Sequence, residues 1–95
     1  MKVKKGDYIQ RQELDLFIND RFKILQVLRD TQQEFEGKRF SPVLYEELAS
    51  NLHLSRQTIA KHIDILKDNG YVKQLIKGRL QLTEKGLKTL QKLEK

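Results

Sequence analysis

The chain has 95 residues, no cysteine and one proline, with 19 Lys/Arg against 13 Asp/Glu and a net charge of +6. This length predicts one domain with a modest core, and the lack of cysteine excludes a thiol nucleophile or a thiolate metal site. No apolar run approaches the ~18 residues of a membrane helix, and the opening MKVKKGDYIQ lacks the apolar stretch of a secretory signal, so no membrane partner and a cytoplasmic location are expected.

Residues 1–10 hold three lysines and few apolar groups and read as a flexible basic arm before a single domain over residues 11–95. Gln12 to Glu36 is helical in pattern, with Leu14, Ile18, Phe22, Leu25 and Leu28 on one stripe that Phe17, Ile24 and Val27 widen. Asn19-Asp20 interrupts it with two weak helix formers. The pattern fits one long helix, or a short one to Ile18 and a second from about Arg21. The apolar groups of residues 11–18 are buried either against a partner subunit or against their own domain. Gln32 to Arg39 is polar, contains Gly37 and reads as a loop.

Next come two helices joined by a tight turn. The first is predicted over Pro42 to Asn51, with Ser41 as N-cap and Pro42 at the first helical position, where no N–H is needed. The second is predicted over Arg56 to Asp68, with Ser55 as N-cap and Asn69-Gly70 as the stop. Only Leu52-His53-Leu54 links them, so they cross steeply, which is helix-turn-helix spacing over residues 42–69. Ile59, Ile63 and Leu66 form the second helix's apolar stripe, and Ala49 is small where the first helix passes close.

Tyr71 to Ile76 is rich in strand formers, Lys77-Gly78 is a turn pair, and Arg79-Leu80-Gln81-Leu82 alternates polar and apolar. This hairpin, or wing, spans residues 71–82. A last helix over residues 84–94 carries Leu87, Leu90 and Leu93, either as core or as a dimer seam. The fold class is therefore mainly α with a small β-hairpin. Residues 1–52 hold nine Lys/Arg and nine Asp/Glu, whereas residues 53–95 hold ten and four. All the excess positive charge thus lies with the second helix and the wing, the footprint expected for a polyanion partner.

The stretches LASNLHLSRQTIAKHIDILKDNGYV and RLQLTEKG resemble the core of winged helix-turn-helix transcriptional regulators. They are similar to the MarR and ArsR-like groups and to the DNA-binding domain of biotin-operon-type repressors. The resemblance covers about residues 20 to 93. It implies that RFKILQVLRD is the first helix of a three-helix core, flanked by N- and C-terminal helices. It also implies that Arg39-Phe40-Ser41 is a short strand pairing with the wing. His53 stands where many such sequences carry Gly, at a position that often takes the left-handed conformation; His tolerates that region better than branched residues do.

The resemblance directs the second helix into the major groove of double-stranded DNA, with Ser55, Arg56, Gln57, Thr58 and Lys61 as the groove-facing set and His62 near the backbone. By chemistry, Ser55 and Thr58 suit a phosphate at the helix N-terminus, Arg56 can fork onto guanine and Gln57 onto adenine. Lys77 and Arg79 of the wing reach phosphates or the minor groove. The plainer alternative for each is a solvated side chain, for Ser55 a cap alone, and for His62 a partly buried structural histidine.

Enzymatic function is not expected. His53 and His62 have no metal-ligand spacing, there is no Gly-rich phosphate loop, and the adjacent Glu46 and Glu47 point ~100° apart on a helix. No cofactor is implied, and no effector ligand is identified. The reading is a small homodimeric transcriptional regulator. The alternatives are a winged-helix protein-interaction module, for which Asp64 and Asp68 speak, and a DNA-binding plasmid or phage replication or maintenance protein.

Overall fold

The computed structural model describes residues 11–17, 20–75 and 79–94. They form α1 (Arg11–Phe17), α2 (Asp20–Asp30), β1 (Gln33–Phe35), β2 (Lys38–Phe40), α3 (Tyr45–Leu52), α4 (Arg56–Asp68), β3 (Val72–Gln74), β4 (Leu80–Leu82) and α5 (Glu84–Leu93). The fold is mainly helical with small antiparallel hairpins. α3, a short turn and α4 make the helix-turn-helix, and β3 pairs with β4 in the register Val72↔Leu82 to make the wing.

Periodicity decides what is buried. Ile59, Ile63 and Leu66 of α4 are fully buried, as are Ile24, Leu25 and Leu28 of α2, Leu48 of α3, Leu80 of β4 and Leu90 of α5. Each such side chain contributes about 1.5–3 kcal/mol of transfer free energy. Ala49 is also buried, where α3 meets α4.

Local chemistry sets the ends of α4. The Ser55 hydroxyl accepts from the Thr58 N–H at 3.1 Å. At the other end Gly70 takes φ 80°, which lets the Tyr71 N–H reach the Leu66 carbonyl at 2.9 Å and the Gly70 N–H reach Lys67 at 3.0 Å. The turn before α4 depends on His53 at φ 57°, ψ 42°, the left-handed geometry anticipated for that position.

The first helix of the pair begins later than expected, at Tyr45 rather than Pro42, with Leu44 as N-cap. Ser41 cannot cap it because it is used elsewhere. Its backbone forms a bridge with Leu80, and its buried hydroxyl meets the Thr31 hydroxyl at 2.6 Å and the Val43 N–H at 3.3 Å. The Glu47 carboxylate instead accepts from the Leu44 N–H at 3.3 Å. The expected strand at residues 39–41 is present as β2 and the Ser41–Leu80 bridge, but the expected loop before it is the β1–β2 hairpin, paired Gln33↔Phe40. Its turn has Glu36 at φ 52° and Gly37 at φ 79°.

The helical pattern of residues 12–36 resolves into α1 and α2, and α2 stops at Asp30. Phe17 is buried, with its ring edge-on to Tyr71 at 5.0 Å. The Glu13 carboxylate accepts from the Tyr71 hydroxyl at 2.9 Å and from Thr89 at 3.3 Å. α1 thus packs on its own domain, and Leu90 belongs to the core. Leu14 remains 40% exposed. The basic arm, Ile18 and the Lys77-Gly78 turn lie outside the described residues.

Candidate nucleic-acid interface

Opposite its buried stripe, α4 exposes Arg56, Gln57, Lys61, Asp64 and Asp68. Gln57, Lys61, Asp64 and Asp68 follow one another at helical spacing, so the solvent face changes sign along its length. Its N-terminal half offers an amide, a guanidinium and an ammonium; its C-terminal half offers two carboxylates. Only the first half suits an anionic partner.

At the head of the helix, the Ser55 and Thr58 hydroxyls lie 2.9 Å apart and are engaged with each other as well as in the cap. Arg56, the first residue of α4, is held from the side. Its Nη1 lies 3.2 Å from Oε1 of Glu46 on α3, with both side chains largely in solvent. Tyr45 sits half-buried beside this pair. Burial raises its hydroxyl pKa, Asp64 raises it further, and Arg56 opposes them. The two adjacent glutamates therefore diverge, Glu46 to Arg56 and Glu47 to the α3 cap.

His62 points elsewhere. It is half-buried, and its Nδ1 lies 3.2 Å from Nη1 of Arg21 on α2. Burial lowers its pKa first, the Arg21 charge lowers it further, and Asp20 partly compensates. Arg21 also donates through Nε to the Leu16 carbonyl, so His62 belongs to the α1–α2–α4 junction.

On the wing, Arg79 is exposed with its guanidinium carbon 4.9 Å from the centre of the Phe40 ring. Gln81 ties the same region together by donating to the Arg39 carbonyl at 2.7 Å. Lys77 lies outside the described residues. Some other cations of this half have structural partners. Lys67 donates to Gln74 at 2.8 Å, and Lys85 donates to the Asn69 carbonyl at 2.8 Å while lying over the Tyr71 ring at 4.5 Å. Part of the basic excess therefore fastens the wing to α4 and α5.

Of the sequence-predicted residues, Arg56, Gln57, Lys61 and the Ser55–Thr58 cap share the N-terminal end and outer face of α4. Arg79 stands on the wing, and His62 faces inward. Sequence reasoning weighs Glu46 only as a neighbour of Glu47 and passes over Tyr45, because their relation to Arg56 crosses from one helix to the next. Among the described residues no group of three His, Asp or Glu converges as a metal site would require. Among the same residues no helix is long and apolar enough to cross a membrane.

This architecture has known relatives. A family model described as winged helix-turn-helix matches residues 44–95. The chain is 30% identical over 94 residues to DNA topoisomerase 1 of Pyrococcus horikoshii and 31% identical over 94 residues to that of Pyrococcus furiosus. Each alignment covers 95% of this chain but only 13% and 9% of those relatives. Among solved structures, it resembles a CRP/FNR-family transcriptional regulator from Thermus thermophilus, with a TM-score of 0.62 and 26% identity over 83% of this chain and 44% of that one. The helix-turn-helix, the wing and a family match over more than half of the chain agree: this protein belongs to the winged helix-turn-helix family.

Proposed function

We propose that this protein binds double-stranded DNA sequence-specifically, with the N-terminal half of α4 in the major groove and the wing on the adjacent backbone, and that it serves as a small transcriptional regulator. The observation that carries this reading is the outer face of α4, where Arg56, Gln57 and Lys61 stand together beyond the Ser55 cap. Arg and Gln are the side chains best matched to guanine and adenine edges, and Lys61 suits a phosphate. Likeness to a CRP/FNR-family regulator supports the regulatory role. No catalytic role is assigned to the chain. The MarR, ArsR and biotin-repressor resemblance remains our expectation for the subgroup, as does organisation as a single domain over residues 11–95.

A homodimer is part of the proposal, because half-sites one helical turn apart suit paired recognition helices. With Phe17 and Leu90 used inside the domain, exposed Leu14 of α1 is one apolar group left for such a contact.

Selection of bound sequences from a random duplex pool tests the reading. A palindromic consensus is expected, with about 1–3 kcal/mol of discrimination lost at one base pair in Gln57→Ala. Absence of any enriched sequence would count against sequence-specific binding.

A second DNA-binding reading is favoured by a specific observation. The two topoisomerase alignments run over 95% of this chain, α1 and the β1–β2 hairpin included. A unit of this kind also suits work as a duplex-holding part of a DNA-processing protein. Binding without a consensus, at affinities set by salt alone, is the outcome that favours it.

A further inference from the structure

We propose that Glu46 of α3 is a specificity-positioning residue, which holds the Arg56 guanidinium so that it reads a base edge rather than any phosphate. This rests on the duplex-binding reading above.

The pair joins two helices, with Oε1 and Nη1 3.2 Å apart and the side chains 59% and 69% exposed. An ion pair so open to water adds little to folding, so stability does not account for it. Arg56 also sits where its own helix repels it. It is the first residue of α4, at the positive end of the helix dipole, and the Ser55 hydroxyl there is already engaged with Thr58. Left alone, the side chain would swing toward the nearest anion. Glu46 supplies that anion within the protein.

The consequence follows from guanidinium geometry. The group is planar, with five N–H donors in a fixed fork. Glu46 engages Nη1, which orients the plane and leaves other N–H groups free. A free pair of donors still matches the two acceptors of guanine, O6 and N7. Toward a phosphate the pair is a poor partner, because the Glu46 carboxylate cancels the Arg56 charge and repels the backbone. Glu46 thereby trades general affinity for selectivity, discriminating by repulsion as well as by attraction.

The test selects bound sequences with wild type, Arg56→Ala, Glu46→Gln and Glu46→Asp, then measures binding to the wild-type consensus and to a scrambled duplex. Glu46→Gln should flatten the same base position that Arg56→Ala flattens. It should also bind the scrambled duplex more tightly than wild type and lower the specificity ratio by about tenfold, within the range of one bidentate base contact. Glu46→Asp, which keeps the charge, should recover part of the ratio. Thermal midpoints should not move, which separates positioning from a structural role. A wild-type ratio in Glu46→Gln overturns the inference, as does equal flattening at every position. A change confined to a different base pair also overturns it, and makes Glu46 a base reader in its own right. If wild type binds duplex but selects no consensus, this inference fails while duplex binding stands; if wild type binds no duplex, both fail.

Discussion

Gly86 offers the sharpest test of how α5 is seated against the helix-turn-helix and wing. It lies in the first turn of α5, where replacement of Gly by Ala ordinarily favours the helix by about 1 kcal/mol. Here an added Cβ would stand 2.2 Å from the Tyr71 carbonyl oxygen and 3.3 Å from a Leu82 methyl. The nearer atom is backbone and has little room to yield. The Tyr71 N–H is committed to Leu66 at 2.9 Å, and its carbonyl accepts from the Thr83 N–H at 3.1 Å. Thr83 in turn caps α5 through the Gly86 N–H at 3.0 Å and donates to the Gly70 carbonyl at 2.6 Å. Moving any of these groups disturbs the others.

Overpacking costs about 1–3 kcal/mol, and a backbone clash belongs at the top of that range. Set against the helical gain, Gly86→Ala should destabilise by about 2 kcal/mol net. For a domain of this size that lowers the thermal midpoint by about 8–16 °C. Thermal unfolding followed by circular dichroism measures it, with Gly37→Ala as a control. At Gly37 nothing lies within 4 Å of the added Cβ, so only the strain of φ +79° is at work there. A midpoint for Gly86→Ala equal to or above wild type would refute the close approach of α5 to Tyr71.

Three further outcomes follow from the charges. Burial, helped by the hydrogen bond to Glu13, pushes the Tyr71 hydroxyl up to about 12. Its folded pKa exceeds its unfolded value of about 10, so its stabilisation is complete below pH ~10 and is lost as pH rises toward ~12; Tyr71→Phe should remove that part of the alkaline loss in denaturation midpoints. His62 has the opposite sign: burial and Arg21 hold its pKa below the usual value, so its contribution is present above pH ~6.5 and lost as pH falls below that. His62→Gln should flatten the stability profile on the acid side, and an unchanged profile would mean that His62 is neither buried nor beside Arg21 in solution. On the wing, the double change Lys77→Ala, Arg79→Ala should lower the slope of log affinity against log salt by about 0.9 for each phosphate that the wing no longer neutralises, while Arg79→Lys should keep the slope.

How much could be read from the sequence depended on how local the determining interactions were. α4 was legible because its signals are its own: the Ser55 cap, the Ile59-Ile63-Leu66 stripe and the Gly70 stop all act within a few residues. The start of α3 was misread because the Ser41 hydroxyl and backbone are claimed by Thr31 and Leu80, ten and 39 residues away in sequence. The β1–β2 hairpin escaped notice because Gln33 to Arg39 is polar and its turn places Glu, not Gly or Asn, at the first left-handed position. The Arg21–His62 contact and the Glu46–Arg56 pair both join separate elements, and no periodicity within one helix encodes them.

The sign change along α4 also constrains how a duplex would meet it. At 1.5 Å per residue, Asp64 lies about 10 Å and Asp68 about 16 Å along the axis from Gln57. At physiological salt the Debye length is about 8 Å. A helix lying flat in the groove would bring both carboxylates against phosphates. A helix entering by its N-terminal end would leave Asp64 near one screening length and Asp68 near two. End-on entry is the geometry that spares the acids while keeping Arg56, Gln57 and Lys61 in reach. Asp64→Asn should then tighten binding to every duplex modestly, Asp68→Asn should do so less, and neither should alter base preference. Affinities measured across a salt series on one specific and one scrambled duplex decide the matter. Equal gains from the two changes would refute end-on entry, and a loss of affinity from either would mean that its carboxylate accepts from a base.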